Sequence, residues 1–258
     1  MNPQISIIIP QYKTFEVTRL CLRALKKFSS LNIEVIVVDN NSSDDSLEYL
    51  KKNKWIKLIE NHHAIIGGQG HKQALDIGIK AATGDWVLLF HSDSIVLKHG
   101  WDIKLLNLMK QYPEAVGASS IVREMNTFTS FAKKILRLFK EKKYAYKYTL
   151  SPTNNKIMSY CFLLNRQFLL STDFNFEQAQ GDVADALYQT KIKKNKPFIL
   201  MGRGFLEPLI WHTSNVSSIL TGQIKDSKSV VKFHKKLSKL FSSPVIKELI
   251  NDQTLDNF

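Results

Sequence analysis

The chain has 258 residues, of which 44% are hydrophobic and 23% charged. That balance excludes a disordered chain, and the length excludes a disulfide-stapled miniature fold; one α/β domain with elaborations, or two small domains, fits. Thirty-six Lys and Arg against 23 Asp and Glu give a formal charge of +13, so the surface favours polyanions: nucleic acid, phosphorylated ligands or an anionic membrane.

The first half alternates β-like runs with helical stretches. ISIII (5–9) is a continuous β-branched run ended by Pro10, suited to a buried parallel strand. Residues 16–28 carry apolar positions at helical spacing. EVIVVD (34–39) is a second buried strand, ending in NNSSDDS. A helix over 46–54, a strand IKLIE (56–60) and the Gly-rich IIGGQG follow, then a helix from about 71 to 82. DWVLLF (85–90) is a fourth strand, ending in His91-Ser92-Asp93. Strands alternating with helices imply a parallel sheet with right-handed crossovers, and such sheets bind ligands beyond the carboxyl ends of their strands. Those ends carry Pro10-Gln11-Tyr12, Asp39-Asn40-Asn41 and His91-Ser92-Asp93, three polar clusters converging on one edge.

In the second half, 101–112 reads as a helix and 116–122 as a strand. Residues 128–150 form a basic amphipathic segment, with Phe131, Ile135, Leu138 and Phe139 near one helical face. IMSYCFLLN (157–165) is an apolar strand followed by a helix over 166–170. Residues 182–193 read as a helix opened by acids, and FILMG (198–202) as a strand. A second cationic amphipathic stretch, VVKFHKKLSKLF, lies in the tail after about 222. Cys21 and Cys161 sit in the apolar runs RLCLRAL and SYCFLLN, which points to buried thiols in a reducing compartment. No run approaches the roughly 18–20 apolar residues of a membrane span. MNPQ leads directly into SIIIP, so no signal peptide is read and a cytoplasmic location is expected.

Taken singly, the chemistry-bearing residues leave two readings open. Asp93, directly after a buried strand, suits a divalent cation or a plain turn. Asp39 suits a nucleobase N–H or ribose hydroxyl, or an Asx-turn before a capped helix. Gly67, Gly68 and Gly70 suit phosphate approach or an ordinary turn, and match neither a dinucleotide nor a P-loop fingerprint. Asp182 and Asp185 suit a general base or helix capping. His212 ends the apolar run PLIWH, where a satisfied structural histidine is equally in keeping.

Their order is more specific. SIIIPQYK, EVIVVDNNSSDDS, a Gly-containing loop before ALDIGIKAATGDW, LLFHSDSIVLKHGW, MSYCFLLNRQFLLSTDFNFE, GDVADAL and IWHTSNVSS together resemble the family 2 glycosyltransferases of the GT-A fold, over roughly residues 4 to 218. The resemblance implies a Rossmann-like α/β domain over 1–222. Its nucleotide-sugar half would be 1–97 and its acceptor half 98–222, with a basic helical tail over 223–258. It implies that Pro10, Gln11 and Tyr12 line the base pocket, that Asp39 contacts base or ribose, and that Asn41 supports that loop. Gly68, Asp76, His91 and Ser92 would face the donor. Asp93 would be the metal-binding end of the Asp-x-Asp motif for Mn²⁺ or Mg²⁺, with His212 a late ligand. Asp182 would be the catalytic base, with Asp185 and Trp211 on the acceptor side. The sequence departs from the pattern twice: His91 stands at the first Asp of Asp-x-Asp, and Gly181 stands where the acceptor motif has Glu.

The implied activity is inverting transfer of a sugar, UDP-linked in most relatives, to a glycan or lipid-linked acceptor in cell-surface polysaccharide synthesis. The two cationic amphipathic stretches add a peripheral membrane contact to that expectation. A nucleic-acid binder is disfavoured because no RNP, zinc-finger or helix-turn-helix pattern is present. A dehydrogenase is disfavoured because no glycine fingerprint follows the first strand. A catalytically inactive relative is the remaining alternative, resting on His91 and Gly181.

Overall fold

The computed structural model describes residues 2–65, 67–122, 145–148, 156–172, 175–181, 183, 197–201, 203–213, 216–222 and 224–256. In chain order the elements are β1 (Ile5–Gln11), α1 (Phe15–Phe28), β2 (Ile33–Asp39), α2 (Asp45–Lys52), β3 (Lys57–Glu60), α3 (Gly68–Ala81), β4 (Trp86–Phe90), β5 (Ser94–Val96), α4 (Trp101–Gln111), β6 (Gly117–Val122), β7 (Ala145–Tyr148) and β8 (Lys156–Asn165). There follow α5 (Arg166–Leu170), β9 (Phe198–Met201), α6 (Arg203–Leu206), β10 (Ile210–His212), α7 (Val216–Leu220), α8 (Ser227–Ser242) and α9 (Pro244–Asn251).

Eight strands form one sheet in the order β3-β2-β1-β4-β8-β6-β9-β7, and β5 and β10 form a separate ribbon. The first four strands are mutually parallel, and β8 joins β4 antiparallel. The order runs outward from β1 through β2 to β3, then reverses to β4. The topological switch point therefore lies between β1 and β4, and open α/β sheets form their ligand crevice outside the carboxyl ends of the strands at such a point. The expected mixed α/β sheet, mostly parallel and flanked by helices, is what forms.

The alternation of β1 shows why its run is continuous. Ile5, Ile7 and Ile9 enter the core on the α1 and α4 side, Ile8 enters the opposite core beneath α3, and all four are fully buried. β1 does not end at Pro10 as the sequence suggested. Gln11 accepts from the Asn40 N–H on the β2 side, so the Pro10 nitrogen faces the β4 side, where pairing has already stopped at Ile8. A missing N–H costs no ladder bond there. Residues 128–144 and 149–150 of the basic segment lie outside the described residues; Ala145–Tyr148 is an edge strand paired with β9 rather than helix.

The amphipathic C-terminal stretch packs its apolar stripe inward. Phe233 joins Val17 and Val216, while Leu240, Ile246 and Leu249 enter the main core. The chain end is pinned to α1 by Arg23. Its Nε donates to Asp256 Oδ1 at 2.7 Å, and its Nη1 donates to the carbonyls of Leu249 and Ile250 at 2.8 and 2.7 Å. Those carbonyls close α9, where helical acceptors otherwise lack partners. Tyr49 donates to the same carboxylate at 2.9 Å. Burial pushes the Asp256 carboxyl up, and the hydrogen bonds from Arg23 and Tyr49 more than offset it, holding it below the usual value.

Removing one member of such a pair strands the other charge. Asp256→Asn is expected to lower unfolding free energy by about 3 kcal/mol in urea titration at pH 7. Because the folded carboxyl titrates below the unfolded one, the wild-type advantage is present above pH ~4 and fades as pH falls through the folded value. An equal wild-type and variant stability at pH 7 would contradict the role given to this contact.

Candidate active site

Three strand ends meet at the switch point: Gln11 on β1, Asp39 on β2, and the turn after Phe90 on β4. That turn closes with the Ser94 N–H on the His91 carbonyl at 3.0 Å. β5 then pairs antiparallel with β10, setting His212 opposite Ser94, and the Thr213 N–H donates to the Asp93 carbonyl at 3.2 Å. This ribbon brings a residue distant in sequence against the turn. His212 Nε2 stands 3.2 Å from Asp93 Oδ1, and His91 Nδ1 stands 3.9 Å from the same oxygen.

Asp93 is 6% exposed. Burial pushes its carboxyl up, but His212, through charge and a hydrogen bond, and His91 bring it down to about 2, so it is an anion at neutral pH. Burial, with His71 and His212 adding, drives His91 down to about 3. Burial likewise drives His71 down to about 4, against a small opposing pull from Asp93. Both rings are therefore neutral at pH 7, with a lone pair on one nitrogen. One ligand atom each from His91, Asp93 and His212 lies within 4.8 Å of the others. An inward anion flanked by imidazole nitrogens is a donor set that fits a divalent cation.

The β1–β2 side of the switch point is built from buried polar groups. Gln11 is fully buried, and its Oε1 accepts from Thr14 and Thr18 at 2.5 and 2.7 Å. Thr14 in turn meets Ser92 Oγ at 3.2 Å, tying β1 to the Asp93 turn. Asp39 is 1% exposed; its Oδ2 accepts from the Ser42 N–H at 2.9 Å, while its Oδ1 and the Gln11 Nε2 have no partner among the described residues. Burial raises the Asp39 carboxyl, with Ser42 pulling the other way. Asn41, Ser43 and Lys13 all have φ near +50 to +57°, a costly left-handed geometry for non-glycine residues, clustered on the two loops that flank this crevice. Ser42 Oγ joins those loops by accepting from the Lys13 N–H. Tyr12 is half-buried and Asn41 exposed beside them.

α3 begins at Gly68, earlier than the sequence suggested. Gly67 takes φ +83°, and a Cβ on Gly70 would lie 1.7 Å from the Ile65 carbonyl, so no other residue fits there. Asp76 faces a different task from the one expected of it. Its two oxygens accept from the Phe176 and Glu177 N–H groups at 3.0 and 2.8 Å. On the same helix, Lys72 Nζ donates to the Ala179 carbonyl at 2.7 Å and Gln69 donates to that of Glu177 at 2.6 Å. α3 thus fastens the segment that runs up to Gly181. Asp182 and Asp185 lie outside the described residues.

Trp211 is not drawn into the crevice. Strand alternation turns it to the face opposite His212, against the core and beneath Lys239 of α8, whose Nζ is 5.6 Å from the ring centre. Four residues at the site escaped sequence reasoning: His71, Lys72, Ser159 and Tyr160. The register between β6 and β8 jumps from Ser119↔Phe162 to Ser120↔Met158, leaving Ser159, Tyr160 and Cys161 without β6 partners. This bulge aims Ser159 Oγ at His91 Nε2, 3.0 Å away, and stacks Tyr160 on His212 at 4.2 Å. The polar pair Ser-Tyr interrupting an apolar run was the available signal.

Because His71 and His91 are neutral in the fold but protonate near 6.5 when unfolded, the unfolded chain binds more protons between pH 6.5 and 4. Stability should therefore fall on acidification through that window, by at most about 1.4 kcal/mol per pH unit for each ring. Urea midpoints measured in chelator from pH 7 to 5 check this, and His71→Gln should flatten the slope. An unchanged slope would show that His71 titrates alike in the folded and unfolded chain.

The chain is similar to known glycosyltransferases. A glycosyltransferase of Streptococcus pneumoniae, GlyG, is 31% identical over 100 residues, covering 37% of this chain and 32% of its own length. The poly(ribitol-phosphate) beta-N-acetylglucosaminyltransferase TarS of Staphylococcus aureus is 24% identical over 206 residues, covering 74% of this chain and 32% of its own. The crystal structure of TarS residues 1–349 with UDP-GlcNAc superposes with a TM-score of 0.61 at 16% identity, covering 96% of this chain and 72% of that one. A mannosyltransferase of Pyrobaculum calidifontis, solved with GDP-Man and Mn²⁺, superposes with a TM-score of 0.56 at 16% identity, covering 99% and 70%. The matched stretches are about a third of the length of the curated relatives, and the superpositions establish the GT-A fold. Residues 6–172, well over half the chain, match the family described as Glycosyl transferase family 2, and the chain belongs to that family.

Proposed function

We propose that this protein transfers a sugar, with inversion, from a nucleoside-diphosphate donor to a hydroxyl of a glycan or lipid-linked acceptor in cell-surface polysaccharide assembly. The observation that carries the reading is the convergence, in a family 2 chain, of the Asp93–His212 contact with the partnerless, buried Asp39 Oδ1. UDP is the favoured nucleotide, a choice supported by the UDP-GlcNAc complex of TarS. A polymeric, phosphate-bearing acceptor of the kind named for TarS would suit a chain of charge +13.

Each residue's part follows from its chemistry. Gln11 Nε2 and Asp39 Oδ1, a donor and an acceptor, complement the carbonyl and N–H of a base edge or a ribose hydroxyl. Pro10 and Tyr12 would wall the base, and Asn41 would brace its loop. Ser92 and Gly68 lie on the two turns that would flank the diphosphate. A divalent cation held by Asp93 and His212 would offset the charge of the departing diphosphate. Asp182 would take the proton of the acceptor hydroxyl as its oxygen bonds to the anomeric carbon. The bond from that carbon to the diphosphate oxygen breaks in the same step, so no covalent enzyme intermediate is needed. Asp76, Lys72 and Gln69 act as positioning residues, holding the segment that leads to Asp182 on the helix that starts at the donor loop.

A thermal-shift panel of UDP, GDP and dTDP, each with and without Mn²⁺, tests the reading. One nucleotide at 100 times its Kd with the cation should stabilise the fold by about 2.7 kcal/mol. Asp182→Asn should keep that shift and lose turnover by roughly 10²–10⁴. A panel in which no nucleotide shifts the melting point refutes nucleotide-sugar use, and full turnover by Asp182→Asn moves the base to another carboxylate.

A further inference from the structure

We propose that His91, Asp93 and His212 form a centre of two imidazoles and one carboxylate that selects a nitrogen-accepting transition ion, such as Mn²⁺ or Co²⁺, over Mg²⁺. The inference deepens the proposed function, since it rests on Asp93 and His212 holding the donor's cation. It departs from the expectation that His91, like the Asp it replaces, faces the donor rather than the ion.

The geometry carries it. His91 directs Nδ1 toward Asp93 Oδ1 at 3.9 Å, and its other nitrogen, Nε2, meets Ser159 Oγ at 3.0 Å. With the proton on Nε2 and Ser159 accepting it, the lone pair sits on Nδ1 and faces the carboxylate. A partner on the far nitrogen is the usual device that fixes a metal-binding imidazole in its tautomer and orientation. The ring is held on both sides as well, packing edge-on against His71 at 5.1 Å and His212 at 5.3 Å, while its backbone N–H donates to the Tyr160 carbonyl. His212 is clamped by stacking on Tyr160 with only 14° between the planes. Ligand atoms about 2.1 Å from one ion stand ~3–3.4 Å apart. The His212–Asp93 pair already has that spacing at 3.2 Å, the His91–Asp93 pair exceeds it by about half an ångström, and all three ligand atoms lie within 4.8 Å of one another.

Ligand chemistry then sets the ion. Mg²⁺ is hard, keeps several waters and prefers oxygen ligands in near-ideal octahedra. Imidazole nitrogen favours divalent transition ions over Mg²⁺, less strongly for Mn²⁺ than for Co²⁺. Replacing a carboxylate at position 91 with an imidazole removes a negative charge that would serve Mg²⁺ and adds a nitrogen that would not.

The test reads ligation directly. The full chain, stripped with chelator, is loaded with Mn²⁺ and examined by pulsed EPR for ¹⁴N couplings. Two imidazole nitrogens are expected in the wild type and one in His91→Ala; one or none in the wild type overturns the proposal. Calorimetric titration with Mn²⁺ and Mg²⁺ alone should show His91→Asp lowering the Mn²⁺/Mg²⁺ affinity ratio by at least about tenfold, the scale of a perturbed ligand set. An unchanged ratio also overturns it. If His91→Asp does not fold, the wild-type EPR count decides. A thermal shift with UDP, GDP or dTDP on the same wild-type sample separates the two ideas. A shift with only one nitrogen coupled sinks the two-imidazole centre and leaves sugar transfer standing, whereas two nitrogens coupled with no shift from UDP, GDP or dTDP leave the centre standing and refute nucleotide-sugar use.

Discussion

The site depends on a buried carboxylate. Keeping Asp93 ionised at 6% exposure costs several kcal/mol of lost hydration unless its surroundings return it. The surroundings are recruited from four separate parts of the chain: His91 from the same turn, His212 through the β5–β10 ribbon, His71 from α3 and Tyr160 from the bulge in β8. None of these elements is arranged for its own sake. The ribbon is three residues long on each strand and stands apart from the main sheet. Its two-strand pairing alone is marginal, and the contact it creates at Asp93 explains why the chain returns there.

α3 couples the two halves of the crevice. Its N-terminal turn is the Gly-rich loop, where Gly70 lets the Ile65 carbonyl approach and the Gly70 carbonyl accepts from Asn40 on the β2 loop. Farther along, Gln69, Lys72 and Asp76 fasten residues 176–181. Lys72 is only 7% exposed, and its cation is satisfied by carbonyl oxygens, including that of Gly181 at 3.4 Å. One helix therefore holds contacts to both the β2 loop and residues 176–181.

What was legible in the sequence was whatever depends on local periodicity. The strands of the first half, buried on both faces, read as unbroken β-branched runs, and β1, β2 and β4 formed within a residue or two of expectation. The carboxyl-end clusters came from topology alone, and the parallel order of β2, β1 and β4 brings Gln11, Asp39 and Asp93 to one edge. The misses share a cause: they depend on contacts between distant segments. Asp76 has the sequence setting of a donor-facing residue, yet two backbone N–H groups a hundred residues away claim it. Trp211 and His212 are adjacent, and only the ribbon's pleat shows that they face opposite ways. Ser159 and Tyr160 lie in an apolar run, and only the register jump in β8 turns them to the site. Pro10 reads as a strand end until one knows which side of β1 has lost its partner.

The same logic governs the C-terminal helices and the meaning of the basic charge. From the sequence, the amphipathic stretch in α8 suits a membrane-surface helix, with Phe and Leu available to lipid. In the fold Phe233 and Leu240 are consumed by the protein's own cores, and the Arg23–Asp256 pair anchors the chain end beyond α9. What α8 leaves outward is a row of exposed lysines at 228, 232, 235 and 239, spaced to share one face. Among the described residues no helix is long and apolar enough to cross a membrane. A face with cations outside and, Val231 apart, its apolar residues at least partly buried can attract an anionic polymer or lipid surface, but it has little hydrophobic area to insert. Such attraction is Coulombic, reaches about 8 Å at physiological salt, and concentrates a polyanion without fixing its pose. Selection among ligands must then come from the strand ends at the switch point, where the buried groups are directional and the cost of leaving them unpaired is high.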